Sequence, residues 1–422
     1  MARRLGTGSA VVVGLGSMIG AGVFAAFAPA AQAAGAGLLV GLAIAAVVAF
    51  CNATSSARLA ALYPQSGGTY VYGKERLGPF WGYLAGWGFI VGKTASCAAM
   101  ALTVAAYMLP GAERPVRAAV AVVVVVALTA LNYRGIQKSA WVTRVIVVVT
   151  LVVLAFVVLA AFAGGTARVE HVVPLGDFSV SGVLQAAGLL FFAFAGYARI
   201  ATLGEEVRDP ERTIPRAIPI ALGIALVVYA AVAVAALAAL GPERLAAASD
   251  PLASAVGAGS WSWLTPVVRV GATVAAVGSL LALVLGVSRT TFAMARDGHL
   301  PATLSAVHPR FRVPHHAEVA VGVVVAILVS MVDLRGAIGF SSFAVLVYYA
   351  IANASAWTLR ADEGRPPRVV PIVGLAGCLV LAVALPVGSV LAGSAVLLLG
   401  VGVWVVRRVV RDRRDRPGAG PA

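Results

Sequence analysis

Residues Gly14 to Phe24 read GLGSMIGAGVF and place four glycines inside the first long apolar run of a 422-residue chain. Each glycine disfavours a helix interior by about 1 kcal/mol relative to alanine. A membrane-crossing helix that accepts four of them has two physical reasons available. The Gly16-xxx-Gly20 spacing lets a second helix approach closely. Alternatively, the helix is interrupted at mid-depth, which exposes N–H and C=O groups that hydrocarbon cannot satisfy, so that the break survives only beside a polar cavity or a ligand. In this second reading the N–H groups around Gly20, Ala21 and Gly22 start the outer half-helix and, aided by its dipole, suit a carboxylate.

The rest of the chain sets the membrane context. Hydrophobic residues make up 60% of it and charged residues only 12%. Apolar runs near the roughly 20 residues needed to cross a bilayer recur throughout, giving an all-α polytopic membrane protein. Twelve spans are expected, at 8–32, 36–60, 79–108, 116–133, 142–163, 182–204, 215–240, 263–288, 317–333, 338–359, 369–387 and 389–406. The net charge is +15, and of 32 basic residues only Lys74, Lys93 and Lys138 are lysines. Arginines crowd the loops after even-numbered spans and the tail from Arg407, so the charge reads as topology rather than nucleic-acid binding, with both termini cytoplasmic. Cys51, Cys97 and Cys378 have unrelated spacings and support neither a disulfide framework nor a metal site. The opening MARR and the later AQAAG imitate a secretory signal, but the apolar segment overruns the roughly 7 to 15 residues of a signal core.

Five spans after the first glycine-rich run, span six reads GLLFFAFAGYARIATLGEE, with Gly196 in a comparable position. Two interrupted spans at corresponding places suggest two five-helix units of opposite topology. The expected organisation is one transporter-like domain: a first repeat over 8–163, an inverted second repeat over 182–359, two additional helices over 369–406 and a basic tail over 407–422. Carbonyls at the end of the half-helix near Phe194 and Ala195 would then hold an ammonium group, and the two breaks together describe a zwitterion site.

Three stretches carry a resemblance. GLGSMIGAGVF with the following residues to GWG at 86–88, FFAFAGYARIATLGEEVRDPERTIPRAI after residue 190, and SRTTFAMARDGHLP after residue 287 resemble the amino acid/polyamine/organocation transporter family, in the expected order over about residues 8 to 360. The resemblance implies the five-plus-five inverted-repeat fold, alternating access, and a pocket between helices one and six. It places that pocket on Ile19, Gly20, Ala21 and Gly22 and on Phe191, Phe194, Ala195 and Gly196, with Phe191 and Phe194 closing over the substrate side chain. The alternative for these phenylalanines is ordinary packing.

Charges inside spans are expensive, so Lys93, near the middle of span three, is a functional candidate by default. Burial makes a lysine change its protonation state readily, which suits it to carry a proton, although a lysine that snorkels or pairs structurally is the competing reading. Many proton-coupled relatives place a lysine at the position of Thr150, which this chain lacks; Lys93 is expected to substitute for it. Ser288, near the end of span eight, is a further coupling candidate, although hydroxyls there more often bond back to the helix. No Asp or Glu is expected at mid-depth in any span, and many relatives have an aspartate where this chain has Ala198; both points favour a neutral substrate. Arg199, Glu205, Glu206 and Arg212 are candidates for a cytoplasmic gate. The plainer reading of that loop is a turn at Asp209-Pro210, a cap from Thr213 and Pro215 in the first turn of the next helix.

The expected function is a secondary transporter of the inner or plasma membrane, not an enzyme, that moves amino acids with the proton as coupling ion, by proton-driven import. Amino acid exchange or transport of polyamines and cationic amino acids is the alternative, with a non-transporting amino acid sensor behind both. No cofactor, metal or nucleic acid is implied, and no GxxxxGK[ST] stretch is present.

Overall fold

A computed structural model describes residues 6–65, 67–135, 140–173, 179–201 and 207–414. The first apolar run is split: α1 (Thr7–Met18) stops, Ile19 and Gly20 leave helical geometry, and α2 (Ala21–Ala25) resumes. It passes through Ala26, still in the αR region, into α3 (Phe27–Ala34). Gly35, at φ +54°, supports a turn that leads into α4 (Leu38–Leu62), a conformation glycine adopts without steric cost. Then follow α5 (Thr69–Leu77), α6 (Pro79–Met108), α7 (Arg114–Tyr133) and α8 (Ala140–Ala163). The helix α9 (Val180–Phe194) gives way to a 3-10 turn at Ala195–Tyr197 and a single α turn, α10 (Ala198–Ala201). The series ends with α11 (Pro210–Ala247), α12 (Pro251–Gly257), α13 (Thr265–Arg296), α14 (His315–Met331), α15 (Leu334–Trp357), α16 (Val369–Ala384) and α17 (Val387–Arg414).

Among the described residues ten helical stretches are long and apolar enough to cross a membrane. Expected spans nine and eleven fall on α14 and α16, of 17 and 16 residues, which at 1.5 Å per residue reach slightly less than about 30 Å of hydrocarbon. Prolines bound both: Pro314 precedes α14 and Pro386 separates α16 from α17. The loop before α11 also differs from expectation. Pro210, not Pro215, occupies the first turn, where no N–H is needed, and Asp209 sits at the N-cap at φ +44°. Thr213 turns its hydroxyl onto Arg208 O at 2.7 Å instead of capping the helix.

Hydrogen bonds sort the loops into two faces. On one, Arg76 of α5 grips Glu363 with two 2.8 Å contacts, Tyr70 meets Asp297 at 2.6 Å, and Arg407 reaches Gly298 O at 2.8 Å. On the other, Arg114 bonds Met331 O at 2.7 Å, and Arg335 joins Gln32 to Gln185. The loops after expected spans two, eight and ten and the start of the basic tail thus meet on one basic, arginine-rich face. Between the faces, α6 packs against α13, α15, α5, α7, α14 and α17 and forms the centre of the bundle. A buried polar knot ties α4, α15 and α16: Asn353 Nδ2 donates to Asn52 Oδ1 at 2.6 Å, Ser55 Oγ donates to Asn353 Oδ1 at 2.7 Å, and Cys378 Sγ of α16 donates to Asn52 Oδ1 at 3.3 Å. Within a membrane such contacts fix helix partners where the hydrophobic effect cannot.

Candidate functional site

The two interruptions lie against each other. A Cβ on Gly196 would run into the Ser17 carbonyl, and one on Gly22 would come within 2.7 Å of Ala193 Cα. Gly20 faces Ser279 of α13 too closely for any side chain, and Gly16 packs on Thr143 and Val147 of α8. The glycines therefore serve close approach and interruption together. Without them the two backbones could not cross at this depth.

Several carbonyls at the breaks have a side-chain donor within reach, as a non-aqueous setting demands. Tyr229 of α11 places its hydroxyl 2.6 Å from Met18 O and 3.0 Å from Ala193 O, bridging both broken helices; its single proton serves one at a time. Lys93 Nζ, on a side chain only 7% exposed, donates to Ala195 O at 3.1 Å, and Tyr349 OH lies 3.4 Å from the same oxygen. Ser279 Oγ reaches Gly16 O at 3.4 Å.

Beside the crossing is a cavity of about 420 Å³, a size that suits a small molecule. Ser17, Met18, Ala21 and Gly22 line it from the first break, Phe192, Ala193, Ala195 and Gly196 from the second, and Lys93 from α6. It extends along α13 past Arg289 to Gly67, Tyr70 and Arg312, and so towards the basic face. No Asp or Glu lines it among the described residues. Towards the opposite face Tyr107 OH bonds Phe24 O at 2.9 Å, accepts the Leu252 N–H at 3.3 Å, and meets the Phe24 ring edge-on, a packed layer above the cavity.

A broken pair of helices around such a cavity is a transporter arrangement, and comparison with known proteins settles the family. The family model described as amino acid permease matches residues 5–409. The chain belongs to the amino acid permease family. An uncharacterized transporter of Mycobacterium tuberculosis is 68% identical over 418 residues, covering 99% of this chain and 94% of that one. The branched-chain amino acid permease BcaP of Bacillus subtilis is 27% identical, with 95% and 92% covered. The vacuolar cationic amino acid transporter 4 of Arabidopsis thaliana is 29% identical, with 88% of this chain and 65% of that protein covered.

Not every expected site residue of this permease reaches the cavity. Ala21, Gly22, Ala195, Gly196, Lys93 and Arg199 line it. Ile19 is 1% exposed and Gly20 lies beneath Ser279, both behind the wall. Phe191 and Phe194 are fully buried and turn away, edge-on to Tyr349 and Tyr229 at 5.8 and 5.0 Å; Phe192 is the phenylalanine of α9 at the cavity. Thr150 and Ser288 direct their hydroxyls to Ile146 O and Leu285 O of their own helices, at 2.7 and 3.0 Å, and are absent from the wall. Arg212 is exposed in the first turn of α11, while Glu205 and Glu206 lie outside the described residues. Sequence reasoning missed Tyr229, Ser279 and Glu318. Glu318, one turn into α14, is fully buried, its two oxygens lack hydrogen-bond partners among the described residues, and the charge of Arg289 acts on it.

Proposed function

We propose that this permease is a secondary transporter that moves neutral amino acids across the inner or plasma membrane by alternating access, with both termini cytoplasmic and the proton as coupling ion. The meeting of the two helix breaks at one cavity carries the reading. The N–H groups of Ala21 and Gly22 receive the substrate carboxylate at a helix start, the Gly20 N–H being bonded to Met18 O at 2.9 Å, and the carbonyl end of α9 receives the ammonium. The wall of the cavity holds no carboxylate among the described residues, so a cationic side chain would meet the positive groups of Lys93, Arg199 and Arg289 there. That favours neutral amino acids over the cationic ones named for the Arabidopsis relative, and agrees with the name of BcaP. The twelve-span, five-plus-five-plus-two organisation belongs to the same proposal. So does Arg199 as part of a cytoplasmic gate.

The cavity extends towards the basic face and is roofed on the other by Tyr107 and Phe24, the arrangement of an inward-open state. Uptake of labelled amino acids into proteoliposomes, with a panel of competitors, tests the proposal. The expected result is saturable accumulation blocked by neutral amino acids and not by arginine. Accumulation of arginine alone would replace the neutral assignment, and accumulation of no amino acid would remove the proposal.

A further inference from the structure

The carbonyl expected to take the substrate ammonium is already occupied. Ala195 O accepts from Lys93 Nζ at 3.1 Å and has Tyr349 OH at 3.4 Å, so both its lone pairs have partners. Phe194, the other residue whose carbonyl was expected to serve, does not line the cavity. Resting on the amino acid reading above, we propose that Lys93 and the substrate ammonium hold the Ala195 carbonyl in turn, so that substrate entry expels the Lys93 proton and the permease exchanges amino acid for proton.

The argument is one of charge. An ammonium displaced from Ala195 O needs an acceptor or a counter-ion, and in this reading the substrate carboxylate is already held by the N–H groups at the start of α2. Among the described residues, the titratable and charged groups that touch Lys93 or share the cavity wall with it are Cys97 on its own helix, Tyr349 of α15, Tyr70 of α5, Arg199 of α10, Arg289 of α13 and Arg312. None of these described groups is a carboxylate. Asp297 is engaged by Tyr70, and Glu318 of α14, which also packs on α6, lies in the field of Arg289. Two ammonium groups at one oxygen repel strongly where the dielectric is low. A neutral amine needs no counter-ion. The Lys93 ammonium therefore gives one proton to water in the cavity as the substrate ammonium replaces it, and the amine takes a proton back when the substrate leaves. Proton and substrate never occupy the site together, so each crossing of one is balanced by return of the other. Proton-driven import, the mode expected from the sequence, is thereby reversed.

Calorimetry of the wild-type permease with each standard L-amino acid, in two buffers of different ionisation enthalpy, tests the idea. Ligands that bind are expected to release close to one proton, and their affinity to rise by up to about tenfold per pH unit while Lys93 is protonated. Lys93→Met is expected to bind without proton release and with an affinity independent of pH. Proteoliposomes with an acidic lumen are expected to accumulate substrate, and those with an acidic exterior to fail. Binding that takes up protons, or that is the same at every pH in the wild type, would overturn the exchange mechanism and leave the permease reading standing. Binding of no amino acid would remove that reading and this inference with it. The wild-type proton count decides the matter even if Lys93→Met does not fold.

Discussion

Tyr229 shows how much one side chain does in this site. Its hydroxyl stands between Met18 O and Ala193 O and so joins the ends of both broken helices. Removing the hydroxyl leaves two buried carbonyls without it, a loss of about 1–3 kcal/mol where no water enters. Tyr229→Phe should therefore lower the thermal midpoint in detergent and slow uptake, whereas an unchanged midpoint would mean that neither carbonyl depends on it. No sequence signal pointed to this residue, because a lone tyrosine in an Ala/Val-rich span reads as packing. Phe191 and Phe194 failed as cavity residues for a related reason. Successive helix positions differ by about 100°, so the side that faces the cavity is set by the contacts with Tyr349 and Tyr229, which composition does not show. Lys93 was legible because a charge in an apolar run is conspicuous. Its partner carbonyl was not.

At the scale of elements, the breaks in the first and sixth apolar runs were legible because glycine and backbone satisfaction are local matters. Glu318 was not, since it lies at the edge of a span and its burial comes from the helices packed around α14. The amphipathic α5 offers a separate test. Arg76 joins it to the segment between α15 and α16 by a two-pronged contact with Glu363, and it also reaches Thr358 O at 2.6 Å. Hydrogen bonds from Arg76 and then from the Arg360 N–H hold the Glu363 carboxyl down at about 2. An ordinary glutamate titrates near 4.3. Because the folded-state value is the lower one, the contact stabilises the fold above about pH 4 to 5, and the contribution fades as pH falls towards 2. Glu363→Gln should melt earlier than the wild type at neutral pH, and the gap should close on acidification. A gap that is constant with pH would show that the carboxylate charge is irrelevant there.

The whole molecule is a bundle around α6 with a cavity reached from the basic face. The three cysteines are buried, so a single introduced thiol can report on access. Ala293→Cys, on the wall near the mouth, should react with a membrane-impermeant maleimide in inside-out vesicles and be spared in right-side-out cells. Labelling only from outside would invert both the topology and the state assigned to the molecule. The central claim is that two interrupted helices cross at glycines to make the transport site. Gly196 is the most demanding point of that crossing, since any side chain there meets the Ser17 carbonyl. The most direct measurement is labelled amino acid uptake by purified Gly196→Val beside the wild type, with membrane insertion and yield checked for both. The account predicts saturable uptake by the wild type and none by the variant. Full uptake by a correctly inserted Gly196→Val would contradict it.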